Sequence, residues 1–454
     1  MGVAIASPPA SENSVARTVA VLAGLFITLP IDLAVVATAL AAGWRRKVPP
    51  FRDSDSTAAP GRATRHTVLI TGGKMTKALH LARAFHAAGH RVVLVESAKY
   101  RLTGHRFSRA VDAFHCVPEP DDPGYRDAVV GIAHREGVDV FVPVSSPAAS
   151  RYDAVAGESL SQFCDVVHGD VATVTMLDDK DKFSRTAESL GLRVPQWTRI
   201  TDARQIEEFD FPPGRSYILK RIAYNPVGRT NMTLLSAATP ESNAAFARSL
   251  STAISAEDPW IMQEFIAGKE YCTHGTARQG LLTVYGCSAS SAFQINYQHV
   301  DKPEIRSWVE RFIAALGLTG QASFDFIEAA DGTVYAIECN PRTHSAITMF
   351  HNHSEVADAY LRPDHPAITP RVDARPTYWF YHELWRLITQ PDKIERLATI
   401  ARGTDAIFSW SDPLPYLMVH HLHIPSLLIA SLRGRRSWSR IDFNIGKLVE
   451  VGGD

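Results

Sequence analysis

Four residues between Ala322 and Thr348 have the types and spacing to bind a divalent cation and phosphate: Asp325, Glu338, Asn340 and Arg342. Two carboxylates and an amide oxygen form a hard oxygen cluster of the kind that holds Mg2+, with Mn2+ the alternative, and leaves coordination positions for phosphate. An arginine beside them can take phosphate oxygens in bidentate fashion. Alternation along two β-rich runs, 323–328 and 333–338, places Phe324 and Phe326 on one face and Asp325 and Ile327 on the other. In the second run Tyr335 and Ile337 alternate with Ala336 and Glu338, so Asp325 and Glu338 can share a face, with Asn340 and Arg342 following in phase. Asp331-Gly332 reverses the chain between the runs, which are expected to pair as an antiparallel hairpin. The plain alternative is a surface hairpin of solvated acids that ends in a turn at Asn340-Pro341. Cys339 points to the opposite face and is expected in the core.

This stretch resembles the magnesium motif of the ATP-grasp superfamily, an acid in one strand and Glu-x-Asn-x-Arg ending the next. The resemblance implies ATP and Mg2+, an α+β ATP-grasp fold, and roles for residues elsewhere. The lysine of Asp179-Lys180 would touch nucleotide phosphate, with Lys182 the rival and a solvated helix start the alternative. Lys220, closing the apolar run 216–221, would hold the α and β phosphates. In WIMQEFIAGKE, Glu264, Phe265 and Ile266 would offer backbone groups to adenine and Glu270 would accept from ribose hydroxyls, while Lys269 faces solvent. The loop 222–231 departs from the family pattern, with Gly228 its single glycine; Arg229 could replace the missing contacts by charge.

The elements that must position these groups follow along the chain. A length of 454 residues suits two or three domains. A net charge of −1 argues against a nucleic-acid partner, which needs a basic field. Five scattered cysteines show no metal spacing and suit a reducing compartment. His420, His421 and His423, like His351 and His353, have no carboxylate or cysteine spaced with them and are read as ordinary histidines.

Residues 1–47 form a hydrophobic anchor segment. Its run Val19 to Gly43 is apolar apart from small polar residues and Asp32, contains Pro30, and as a helix would be about 37 Å long. It is longer than the core of a secretory signal, and Trp44-Arg45-Arg46-Lys47 follows without a clear cleavage site, which places the catalytic part in the cytoplasm. A spanning helix, a helical hairpin and an interfacial anchor all fit. Residues 48–65 read as a linker.

Residues 66–170 read as a Rossmann-like domain. Thr67 to Ile70 is a strand, Thr71-Gly72-Gly73 a turn, then comes a helix stopped by Gly89 and a strand from Arg91 to Glu96. A dehydrogenase reading fails because the turn lacks Gly-x-Gly-x-x-Gly and none of the 13 tyrosines has a lysine four residues on. Strand ends of an open parallel sheet bind ligands, so Gly72, Gly73, Ser145 and Ser146 either line an acceptor site or only make turns. Residues 171–370 are the ATP-grasp domain. Within it, His344 and Ser345 either meet the second substrate or cap the next helix. Trp308, Phe312 and Leu316 form a core stripe of a helix. Residues 371–454 are an accessory helical region, where Leu414 to Leu432 fits a packed helix or a membrane-surface helix equally.

TVLITGGKMTKALHLARAFHAAGHRVVLVE, VPVSSPAASRYDAVA and ECNPRTHSAIT, with the hydrophobic N-terminus, resemble ATP-grasp ligases of mycosporine biosynthesis over about residues 15 to 450. That resemblance implies two small-molecule substrates, a cyclic enol acid (4-deoxygadusol) and an amino acid (glycine), joined with release of ADP and phosphate. The alternative is a ligase for another acid and amine. A homodimer stays open.

Overall fold

The computed structural model describes residues 14–45, 64–222, 232–250, 252–290, 296–391 and 393–450. Residues 48–63 of the 48–65 linker, and Gly228 and Arg229 of the glycine-poor loop, lie outside them. The chain opens with a single helix, α1 (Ser14–Arg45), which carries Pro30.

Five strands then form a parallel sheet in the order β3-β2-β1-β4-β5. They are β1 (Thr67–Ile70), β2 (Arg91–Ser97), β3 (Ala113–Val117), β4 (Val140–Val142) and β5 (Asp165–Val166). The helices α2 (Thr76–Ala87), α3 (Tyr125–Glu136) and α4 (Ser150–Leu160) alternate with them, as short apolar runs between helical stripes require. The order reverses between β1 and β4, so their carboxyl ends flank the crevice where such sheets bind ligands.

Two helices, α5 (Val171–Asp178) and α6 (Lys180–Ser189), lead to a sheet ordered β6-β9-β7-β8. Its strands are β6 (Trp197–Ile200), β7 (Ser216–Arg221), β8 (Leu235–Ser236) and β9 (Trp260–Glu264), covered by α7 (Arg204–Glu207) and α8 (Pro240–Ser249) through a core of Ile206, Ala247, Leu219 and Met262. A second antiparallel sheet, ordered β11-β10-β13-β14, contains β10 (Gly268–Arg278), β11 (Leu281–Ala289), β13 (Gly320–Ala329) and β14 (Val334–Asn340). Between β11 and β13 come β12 (Asn296–Tyr297) and α9 (Pro303–Leu316). Trp308 and Phe312 of α9 pack on Phe183, Phe324 and Phe326, fixing one face of the hairpin as core, and Cys339 joins them.

The β13–β14 hairpin turns at Asp331-Gly332, with Gly332 at φ +83°. Strict alternation fails at one point. A bulge after Asp325 pairs Asp325 with Glu338 but Phe326 with Ala336, so Ala336 faces the core instead of sharing a face with Glu338. The extra residue, Ile337, turns Glu338 to the side of Asp325.

The remaining chain, from α10 (Val356–Leu361) onward, is not purely helical. It contains β15 (Thr377–Tyr378), α11 (Phe380–Thr389), α12 (Lys393–Arg402), β16 (Thr404–Asp405), α13 (Leu414–Met418), α14 (Ile424–Arg433) and a hairpin of β17 (Trp438–Asp442) and β18 (Lys447–Glu450). Of the two readings of 414–432, the packed one holds: Tyr416, Val419, Ile424 and Leu428 are buried in one core with Val68, Met75 and Trp379. His421, assigned no carboxylate from local spacing, meets Asp32 of α1, its Nε2 2.8 Å from Oδ2.

Candidate active site

Asp325 and Glu338 stand directly opposite across the hairpin, and Asn340 stands opposite Ser323. Asn340 Nδ2 lies 3.5 Å from Asp325 Oδ2. Arg342 donates from Nη2 to Asn340 Oδ1 and from Nη1, at 3.3 Å, to Asp178 at the end of α5. Asn340 thus offers its nitrogen to Asp325 and its oxygen to Arg342, so metal ligation by Asn340 requires the amide to turn.

The two lysines enter from different elements. Asp179 caps α6, accepting from the amides of Asp181 and Lys182, and this capping sets the first helical turn. It brings Lys180 Nζ within 3.7 Å of Glu338 Oε2, while Lys182 pairs back to Asp179 with its side chain half exposed. Lys220, near the end of β7, donates to Gln263 Oε1 at 2.9 Å, and Gln263 Nε2 donates to the carbonyl of Ile337 at the bulge. Gln263 therefore ties one lysine to the hairpin; sequence reasoning missed it, although a polar residue inside the apolar run of β9 was its signal.

Burial and the neighbouring charges push the two acids in opposite net directions. Burial holds the Asp325 carboxyl well above the ordinary range, with the Glu338 charge adding to the effect. In Glu338 burial acts the same way, but the Lys180 and Lys220 ammoniums outweigh it and keep the carboxyl low. Burial also lowers Lys220, against the pull of Glu338. Two part-buried carboxylates facing each other, one of them held well above its ordinary range, fit a divalent cation. Among the described residues no group of three or more His, Cys, Asp or Glu could hold a metal, so the fit rests on two carboxylates and one amide.

At the other expected contacts, the amides of Glu264 and Phe265 are already taken by the carbonyls of Gln196 and Ser216, at 2.7 and 2.8 Å. Those two amides cannot also serve adenine, which leaves Ile266 and the carbonyls of the segment. Glu270 accepts from Ser290 Oγ at 3.2 Å, on β10 beside the hairpin.

The loop after the hairpin carries Pro341 to Ser345 against the carboxyl ends of β1 and β4. Ser150 Oγ donates to Pro341 O at 2.9 Å and Gln321 Nε2 to Pro143 O at 2.9 Å. Lys77 of α2, buried, donates to Thr343 O at 2.5 Å and Ser145 O at 3.5 Å. Burial, then the Arg342 charge, lowers its ammonium to about 7. Sequence reasoning passed over Lys77 as one more helical residue.

Of the tentative substrate residues, most have structural work. Gly72 adopts φ +67° and a Cβ there would sit 1.9 Å from Val144 O, so the turn demands glycine for close packing. Gly73 N donates to Val95 O, Lys74 N to Glu96 Oε2 and Thr76 N to Asn444 O, so the amides that could cradle an anion at the start of α2 are engaged. Ser145 Oγ donates to Asp153 Oδ2, and Ser146 Oγ accepts from Ala149 N. Burial raises Asp153 to about 6, against hydrogen bonds from Ser145, Tyr125 and Thr71. His344 caps the following turn by accepting from Ala346 N, and Ser345 Oγ accepts from Asn444 Nδ2 at 2.6 Å. Burial keeps His344 neutral, pushing it down to about 3.

No protein-family profile and no curated protein sequence matches the chain. Solved structures do match. An N5-carboxyaminoimidazole synthetase from Staphylococcus aureus complexed with ADP superposes with a TM-score of 0.53 at 15% identity, over 69% of this chain and 82% of that one. An N5-carboxyaminoimidazole ribonucleotide synthetase, also an ADP complex, gives 0.54 at 15% identity over 72% and 87%. A biotin carboxylase from Campylobacter jejuni with β,γ-ATP gives 0.51 at 17% identity over 65% and 72%. At such identities the likeness is one of fold, and together with the hairpin and its two flanking sheets it gives this chain the α/β fold of the ATP-grasp ligases, a Rossmann-like sheet followed by the grasp, with an apolar helix in front.

Proposed function

We propose that the chain is an ADP-forming carbon–nitrogen ligase that phosphorylates the enol oxygen of 4-deoxygadusol and joins the activated ring to glycine, giving mycosporine-glycine. The observation that carries the ligase reading is Asp325 facing Glu338 across the hairpin, with Lys180, Lys220 and Arg342 around them. The choice of substrates follows the resemblance to mycosporine ligases read from 67–96, 142–156 and 338–348, and it is the part of the reading that the substrate test below decides.

In this reading Asp325, Glu338 and, once its amide turns, Asn340 hold magnesium, which when bound neutralises charge on phosphate oxygens. Lys180 and Lys220 hold the nucleotide phosphates, Arg342 steadies the transferring phosphoryl group from its anchor on Asp178, and Glu270 takes the ribose. Ile266 and the carbonyls near it face the base. In this reading the acceptor lies at the ends of β1 and β4, where Lys77 bonds the carbonyls of Ser145 and Thr343, with Ser146, His344 and Ser345 close to these in the chain. The enol oxygen attacks the γ-phosphorus as the bond to the ADP oxygen breaks, forming a vinylogous acyl phosphate. The amine nitrogen then adds to the carbon bearing phosphate, gives up a proton, and phosphate leaves. No covalent protein nucleophile is needed.

The test incubates the protein with magnesium, ATP and 4-deoxygadusol, with and without glycine, and weighs the product. A species with the mass of the glycine conjugate, formed only with both substrates, supports the assignment. ADP formed only with a different acid and amine would keep the ligase and replace the substrates.

A further inference from the structure

We infer that α1 does not cross a bilayer but lies along an anionic membrane surface, clamped lengthwise to the C-terminal part of the chain. The observations are independent of the ligase reading. One stripe of α1 is buried: Thr18, Leu25, Asp32 and Ala39 recur every seven residues. Each meets the globular part. Trp438 Nε1 donates to Thr18 Oγ1 at 2.9 Å, and Leu25 joins the core of α2 and α14. Tyr381 Oη donates to Asp32 Oδ2 at 2.7 Å beside His421, and Ala39 and Leu40 line a cleft with Trp410 and Leu414.

From Thr18 to Ala39 is roughly 32 Å of helix, the full thickness of a hydrocarbon core. If α1 spanned, everything along that stripe would be drawn into the bilayer with it, including the Asp32–His421 contact and the Tyr381 hydroxyl in the inner part of the span. Polar and ionisable groups at such depth are costly.

The opposite side is apolar and open. Phe26, Ile27 and Ile31 are 75%, 72% and 65% exposed. The surface continues onto α11, where Trp385 and Ile388 follow Tyr381 at helical spacing, and at the far end onto Trp410. Arginines rim both ends: Arg433, Arg435 and Arg436 are exposed where Trp438 meets Thr18, and Arg109 lines the cleft with Leu40. A long apolar face with tryptophans at its margins and arginines at its ends is the pattern of a helix lying in the headgroup boundary.

The test uses the full chain with Cys116→Ser and Cys164→Ser, leaving the buried cysteines, and single cysteines at Val19, Phe26, Leu33 and Leu40, four exposed positions one heptad apart. Each is spin-labelled and its depth read on vesicles of phosphatidylcholine with phosphatidylserine. The expected result is one shallow depth, roughly 5–10 Å below the headgroups, at all four positions. A depth that runs from one interface through the centre to the other overturns the inference in favour of a spanning helix. So does failure to bind vesicles, or a dimer that forms on dilution-reversible association and hides the same four labels. As a second arm, Ile31→Glu should weaken vesicle binding about tenfold with an unchanged unfolding midpoint; unchanged binding contradicts the inference.

Discussion

Replacing Lys77 with methionine should change the pH dependence of stability in a defined direction. In the folded protein the ammonium is lowered from 10.5 to about 7, by burial first and then by Arg342, with Asp442 opposing and Lys74 adding to the effect. Above 10.5 the lysine is neutral in both states and contributes nothing. Between 10.5 and 7 the unfolded chain binds the proton and the folded chain does not, so stability falls as pH falls. At about 1.4 kcal/mol per tenfold, the native state bears a cost of about 5 kcal/mol near pH 6 and about 2 kcal/mol near pH 9. Methionine removes this cost but leaves the carbonyls of Ser145 and Thr343 without their donor, a loss that does not vary with pH. The sign at one pH is therefore uninformative, and the slope is the test. The variant's stability relative to the parent should be higher near pH 6 than near pH 9 by about 3 kcal/mol, which in a chain of 454 residues moves the unfolding midpoint by roughly 3 °C. Other titrations cancel in the difference between the two proteins. A difference that stays flat across this range would refute the placement of a buried lysine at the junction.

Three further substitutions probe the site. Glu338→Gln should lower turnover by about a hundredfold or more with the circular dichroism unchanged, since one of two facing carboxylates is lost; full activity would sink the metal assignment. Gln263→Leu frees Lys220 Nζ from its anchor and should raise the KM for ATP several-fold with a smaller effect on kcat, measured by ADP release. An unchanged KM would mean Gln263 is only core. Gly72→Ala forces a left-handed conformation on a residue whose Cβ would overlap Val144 O, and should cost more than about 2 kcal/mol, read as a fall in the unfolding midpoint. A midpoint equal to the parent's would show that the turn can move aside.

Much of the grasp hairpin was legible because strand alternation and an Asp-Gly turn are local signals. Gly332 sits where that turn was read, and Phe324 and Phe326 point to the core as the period of two requires. The bulge at Ile337 was not legible, since alternation assumes that every residue is paired. Capping chemistry separates Lys180 from Lys182: with Asp179 as the cap the first leans toward Glu338 and the second folds back on the cap. What could not be read were contacts between distant segments. Asn444, in the turn of a C-terminal hairpin, supplies the carbonyl that caps α2 and the amide that holds Ser345, and no pattern around residue 444 announces either. The same holds for Asp32 and His421, each unexplained by its neighbours and resolved by the other.

The most direct test of the account is magnesium-dependent formation of ADP and phosphate from ATP in the presence of an acid and an amine, beginning with 4-deoxygadusol and glycine, and compared between the parent and Asp325→Asn. The account expects stoichiometric ADP, phosphate and conjugate from the parent and a loss of about a hundredfold in the variant. Turnover by the variant equal to the parent's, or ATP cleaved to AMP and pyrophosphate, would contradict it.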